Sequence, residues 1–171
     1  MVELLRPARG GFLRPFGCGE FIRDFLLGKG PYGSARIDPE EGAPQSDIFF
    51  YYKNALRRAT ALDRATRVEE RRAQRQKRRI DPDNIERLAE IYLSRLPYKG
   101  WGCRYHSFVT YFSTIQRLHW VEPTGKERAS SFQDHYLLGQ PRKYFRLTEA
   151  GKQASDAAWA NPHLALYGQR S

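Results

Sequence analysis

Apolar and polar positions alternate along the chain in a series of helical patterns separated by Pro and Gly. From about Glu20 to Leu27, Phe21, Ile22, Phe25 and Leu26 fall on or near one helix face, and Gly28, Gly30 and Pro31 end the pattern. A polar loop from Tyr32 to Pro44 follows. Gln45 to Asp81 contains neither Gly nor Pro and is rich in Ala, Arg, Gln and Glu, which favours one long helix. Ile48, Tyr52, Ala55, Ala59 and Leu62 give it a buried stripe that fades after Val68. Gln45 or Ser46 begins this helix, and Asp81-Pro82 stops it. Asp83 or Asn84 caps the next, with Glu86 in its first turn; its apolar face is Ile85, Leu88, Ile91, Tyr92 and Leu96. After a linker from Tyr98 to Arg104, a helix from Tyr105 to Leu118 turns Phe108, Tyr111, Phe112, Ile115 and Leu118 inward.

The C-terminal third reads differently. Trp120 to Glu122 is a short strand broken by Pro123 and the Thr124-Gly125 turn, and Lys143 to Leu147 is a returning strand. Between them, Lys126 to Arg142 is polar. Glu149 to Ala160 reads as one final helix, stopped by Asn161-Pro162. The division is therefore a flexible basic arm (1–18), an N-terminal helical unit with a long Arg-rich helix (19–80), a C-terminal unit (81–162) and a loose tail (163–171). A weak internal repeat relates the two units. At an offset of 66, Glu20, Ile22, Phe25 and Pro31 fall on Glu86, Leu88, Ile91 and Pro97; at 60, Ile48, Tyr52 and Arg57 fall on Phe108, Phe112 and Arg117.

Charge sharpens this picture. The chain has 171 residues, with 29 Lys+Arg against 19 Asp+Glu and a net charge of +10. Between Arg57 and Arg79 lie ten basic residues, opposed only by Asp63, Glu69 and Glu70. This stripe suits a polyanion. Its segment from Arg64 to Arg79, with Arg71, Arg72, Arg75, Arg78 and Arg79 as the main candidates, either lies along a nucleic-acid groove or backbone, folds onto RNA, or is a spacer helix. No run approaches the apolar length of a membrane span, and no apolar h-region marks a secretory signal. Cys18 and Cys103 cannot build a disulfide scaffold, so the expectation is a reduced, cytoplasmic, nucleoid-associated protein.

Two local patterns carry a family resemblance. Ile115-Gln116-Arg117-Leu118-His119-Trp120-Val121-Glu122 looks like a recognition helix running into a wing strand. Tyr144-Phe145-Arg146-Leu147-Thr148-Glu149-Ala150-Gly151-Lys152 looks like the second wing strand turning into a helix, with Thr148 as its cap. Together the C-terminal unit resembles the winged-helix DNA-binding proteins, especially MarR-like and PadR-like regulators. The resemblance implies a mainly α fold with a small β wing, a winged helix-turn-helix C-terminal unit, and a related N-terminal unit, either plainly helical or a degenerate helix-turn-helix, joined by the long basic helix. It leaves only Tyr98 to Arg104 for the helix that such domains place before the recognition helix, as a single turn or in another register.

Burying Phe108, Phe112 and Ile115 leaves His106, Thr110, Ser113 and Arg117 on the opposite face, with no acidic residue between Arg104 and Trp120. Arg117 suits guanine and Thr110 a thymine methyl, while Ser107 and Thr114 suit phosphates. Lys126, Arg128, Arg142 and Lys143 stand at the base of the wing, whose tip carries Asp134. In the N-terminal unit, Lys53 and Arg57 suit phosphate, and Phe50 implies partial burial. No P-loop, dinucleotide-binding glycine pattern or nucleophile elbow occurs, and Cys103 and His106 lack a second metal-ligand pair. No enzyme activity, cofactor or metal is expected. The expectation is a sequence-selective double-stranded DNA-binding protein acting in transcription regulation, its units working in one chain or in a homodimer. The alternative is a winged-helix structural or interaction subunit of a larger DNA or RNA assembly.

Overall fold

The computed structural model describes residues 17–29, 36–98, 104–128 and 141–168. In chain order these form α1 (Cys18–Leu26), β1 (Ala43–Pro44), α2 (Gln45–Gln76), α3 (Pro82–Arg95), α4 (Tyr105–Arg117), β2 (Val121–Arg128), β3 (Arg142–Leu147), α5 (Glu149–Gln153), α6 (Asp156–Ala160) and α7 (Pro162–Tyr167). The protein is mainly helical with a small three-stranded antiparallel sheet. Two compact units are present, and their boundaries are not those expected. One falls within Lys53–Arg104; the other combines Phe16–Tyr52 with Tyr105–Ser171. The separate N-terminal unit over 19–80 is therefore not seen. Helix α1 packs on α6, near the other end of the chain, and α3 belongs with the later turns of α2. The long-range pairing of β1 with β3 has no local sequence signal, which is why the division was misplaced.

The discontinuous unit is built around aromatic side chains. Phe21 packs on Tyr52 at 5.1 Å between ring centroids, Tyr52 on Phe108 at 6.2 Å, and Phe112 on Phe145 at 5.2 Å. Ile22, Leu26, Ile48 and Ile115 fill the spaces between them and are fully buried. Each such side chain contributes roughly 1.5–3 kcal/mol of transfer free energy. Gly42 admits β1 to the sheet: its φ is +68°, and a Cβ there would lie 1.9 Å from the Phe145 carbonyl oxygen.

The strands run in the order β1-β3-β2, with Val121 opposite Leu147 and Arg128 opposite Arg142. Pro123 does not end β2. That strand is at an edge, where a missing N–H is tolerated, and a bulge between Pro123 and Glu127 absorbs the extra residues, with Gly125 at φ +87°. The helix expected from Glu149 to Ala160 is two helices. Ser155 accepts from the Ala158 N–H and starts α6 afresh. Trp159 then turns inward, packs against Trp120 with ring centroids 4.6 Å apart and donates its indole N–H to the Gly151 carbonyl at 2.9 Å. The loose tail is also corrected: Asn161 caps α7, which packs on α4 and α6.

The other unit is a helical hairpin. Arg57 reaches the carbonyls of Leu93 and Leu96, Arg64 lies over Tyr92, and Glu69 meets Asn84, so α2 and α3 run antiparallel. The inward line is Ala61, Ala65, Glu69 and Ala73, all nearly inaccessible; Leu62, expected in the stripe, is 44% exposed. Alanines four apart let a second helix approach closely. Helix α2 stops at Gln76 rather than Asp81 because Lys77 adopts φ +50°. The Arg78 N–H then bonds the Ala73 carbonyl and the Lys77 N–H that of Gln74, a Schellman turn. Asp81, two positions before the first of the expected caps, accepts from the Asp83 N–H and starts α3 with Pro82 in its first turn.

The arm residues up to Phe16, Gly30 and Pro31, the segment 99–103 with Trp101 and Cys103, the wing tip 129–140 with Asp134 and His135, and residues 169–171 lie outside the described residues.

Candidate nucleic-acid interface

Helix α4 has two unlike sides. Phe108, Phe112 and Ile115 are wholly inaccessible, while His106, Ser107, Thr110, Ser113 and Arg117 are exposed, and Thr114 is half-buried. The polar side carries no carboxylate. Thr110 and Thr114 donate their hydroxyls back to the carbonyls of His106 and Thr110. From His106 to Arg117 the exposed line spans about 16 Å at the helical rise. The helix ends in a second Schellman turn, with His119 at φ +57° and the Trp120 N–H on the Ile115 carbonyl. Arg117, in the last turn, donates to the Tyr167 hydroxyl at 2.6 Å and lies over that ring, so α7 holds its guanidinium.

Thr148 is the joint between α4, the sheet and α5. Its hydroxyl accepts from the Gly151 N–H and donates to the His119 carbonyl, and its own N–H bonds the Trp120 carbonyl. The expected cap is thus present and reaches further than a cap requires.

The base of the strand hairpin is less cationic than its sequence. Arg128 and Arg142 converge on Asp47, at 2.8 and 3.2 Å, and Lys126 lies 3.5 Å from Glu41 and over the Tyr144 ring. Arg146 meets Glu122 and Glu40. Lys143 is exposed. Asp47, in the first turn of α2, reads in the sequence as an ordinary dipole partner at a helix start, and its two arginines come from strands far along the chain.

In the hairpin unit, three expected phosphate contacts are structural instead. Lys53 is buried over the Tyr98 ring at 4.4 Å, and burial raises the Tyr98 phenol above its ordinary pKa. Arg57 serves the C-terminal carbonyls of α3, at 2.7 Å from Leu96, and bonds Asn54. Arg78 binds Glu69 through both terminal nitrogens. Glu69 also accepts from the Asp81 N–H and from Asn84. The Arg78 bonds, and next the Asp81 N–H, hold its carboxyl down at about 2 from 4.5. Burying a carboxylate requires this much compensation. The clue in the sequence was Glu69 itself, an acid on the inward line of an arginine-rich helix.

Arg71, Arg72, Arg75 and Arg79 remain exposed, as do Arg64 and Arg67. Arg71 and Arg75 use their Nε groups on the carbonyls one turn earlier. Arg67 meets Asp63. Among the described residues, no helix is long and apolar enough to cross a membrane. No family model, curated protein or solved structure matches the chain.

Proposed function

We propose that the chain is a non-enzymatic, double-stranded DNA-binding protein of the cytoplasm, acting in transcription regulation, and that its discontinuous unit is a winged helix. One observation carries the reading: α4 combines a fully buried Phe108-Phe112-Ile115 side with an acid-free exposed side of His106, Ser107, Thr110, Ser113 and Arg117. Phosphate repels carboxylates, and short hydroxyls and a guanidinium suit base edges and backbone oxygens. The order α1, β1, α2, α4, β2, β3 and the sheet order β1-β3-β2 support it. On this reading, residues 45–52 of α2 are the helix that precedes the reading helix, and the hairpin unit is inserted between the two. Tyr167 orients Arg117 for contact.

The test is selection from a random duplex library, followed by titration of the selected site and of random duplex at one salt concentration. Arg117→Ala should cost about 1–3 kcal/mol on the selected site and much less on random duplex. Failure to enrich any sequence, or an Arg117→Ala protein that binds both duplexes as wild type does, refutes α4 as the reading helix. The ion pairs that Asp47 and Glu41 make with the wing cations favour a second reading, an interaction subunit whose wing packs against protein. A stable oligomer without sequence preference would support that one.

A further inference from the structure

We infer that the α2–α3 hairpin is a second DNA contact, blind to sequence, in which Arg64, Arg67, Arg71 and Arg75 grip successive phosphates of one strand of a duplex. This rests on the proposed binding of duplex DNA but not on α4 being the element that reads it. The four arginines are three, four and four positions apart, which puts them on one side of α2. The inward line of Ala61, Ala65, Glu69 and Ala73 is on the other side. All four arginines are exposed. From Arg64 to Arg75 the row spans about 16 Å at the helical rise.

The row is not an ordinary solvated face. Such faces place acids three or four residues from their arginines, and like charges at that spacing oppose the helix. Among the described residues, Asp63 alone pairs with this row, through Arg67, although Glu70 also stands three positions from Arg67. Neither Arg71 nor Arg75 meets a carboxylate among the described residues, and their Nε bonds to helix carbonyls leave the paired terminal nitrogens of these exposed side chains for a further partner. That geometry suits bidentate phosphate contact. A strand of phosphates removes the mutual repulsion that the folded protein otherwise bears. The hairpin is also held firm at its turn, where Glu69 gathers Arg78, Asn84 and the Asp81 N–H. Single-stranded RNA is bound largely by stacking of bases on aromatic rings. The row offers no open ring: Tyr92 is half-buried beneath Arg64. Duplex is therefore the fitting partner.

The experiment uses the full chain and a random-sequence DNA duplex, with affinity measured between about 50 and 200 mM salt. The variant R64Q/R67Q/R71Q/R75Q is compared with a charge-matched control, R58Q/R87Q/R95Q/K152Q, whose exposed cations lie off the row. Losing about four contacts should lower the slope of log affinity against log salt by roughly 3–4, so that wild-type affinity drops about a hundredfold more across this range than the variant's. The control should stay near the wild-type slope, and an Arg→Lys version of the row should recover most of it. Equal slopes for the row variant and the control overturn the proposal, because net charge alone then explains binding. Loss confined to single-stranded RNA overturns it in favour of RNA. Selected-site against random-duplex discrimination, measured on the row variant, reports on α4 separately: it should persist, and its absence from wild type would count against the reading helix and not against the row.

Discussion

Replacing Thr148 by Val should loosen the joint between α4 and the sheet without disturbing shape. Valine keeps the volume and the preference for extended backbone, and Thr148 sits at φ −80°, ψ 170°. What disappears is the hydroxyl, with the bond it accepts from the Gly151 N–H and the one it donates to the His119 carbonyl. The cap is worth about 1 kcal/mol. The second bond is worth a similar amount net, since His119 is exposed and its carbonyl can find water. The backbone bond from Thr148 to Trp120 survives. The expected loss is about 2 kcal/mol, which for a chain of this size lowers Tm by roughly 4–8 °C. Thr148→Ser keeps both bonds and should melt within about 2 °C of wild type. Thermal unfolding followed by circular dichroism, with near-ultraviolet signal from Trp120 and Trp159, reads both. If Thr148→Val melts like wild type, the hydroxyl does not join these elements; if Thr148→Ser falls as far as Val, the loss comes from packing.

Lys77→Gly should stabilise the hairpin by about 1 kcal/mol, because a side chain at φ +50° is strained and glycine is not; unchanged or lower stability in urea would contradict the Schellman turn. Glu69 gives the hairpin an acid limit. Its carboxyl is lowered in the folded chain, so its contribution is complete above about pH 4.5 and is lost as the pH falls toward about 2. Glu69→Gln should flatten the dependence of melting on pH over that window, and an unaltered profile would refute the assignment. Replacing residues 53–104 by a short Gly-Ser linker should leave a cooperatively melting protein, because Phe49 and Tyr105 already meet at 5.1 Å across the gap; a chain without cooperative melting would show that the hairpin is needed for folding.

Elements with strong local periodicity were legible from the sequence. Helix α4 begins at Tyr105 as expected, and of the five residues its spacing turns inward Phe108, Phe112 and Ile115 are buried while Tyr111 and Leu118 are half-buried. Leu147 and the Thr148 cap follow from the strand-to-helix switch. What escaped was set by distant partners. Arg57, Arg78 and Lys53 look like surface cations, since nothing near them in sequence shows that carbonyls of Leu93 and Leu96, a buried Glu69 or the Tyr98 ring lie within reach. Ser155 is masked by the alanine-rich sequence around it, which favours helix on either side, and Asn161-Pro162, a stop for one helix, is also the start of the next. The exposed arginine row needed only the helical period, yet choosing which arginines belong to it required knowing that Arg78 is occupied.

The interruption of one unit by the other shapes how the chain reaches its native state. Contacts within the α2–α3 hairpin join residues close in sequence, whereas β1 must find β3, and α1 must find α6, across most of the chain. Low contact order favours early formation, so the hairpin should be structured while the discontinuous unit is still open. Once formed, it brings Tyr52 and Tyr105 closer than an unstructured segment of that length would, which reduces the entropy lost when α4 docks on the aromatic core. During synthesis, Phe21, Phe25, Ile48 and Tyr52 must wait for β3 and α6 to emerge. That interval of exposed apolar surface is when the chain is most prone to aggregate.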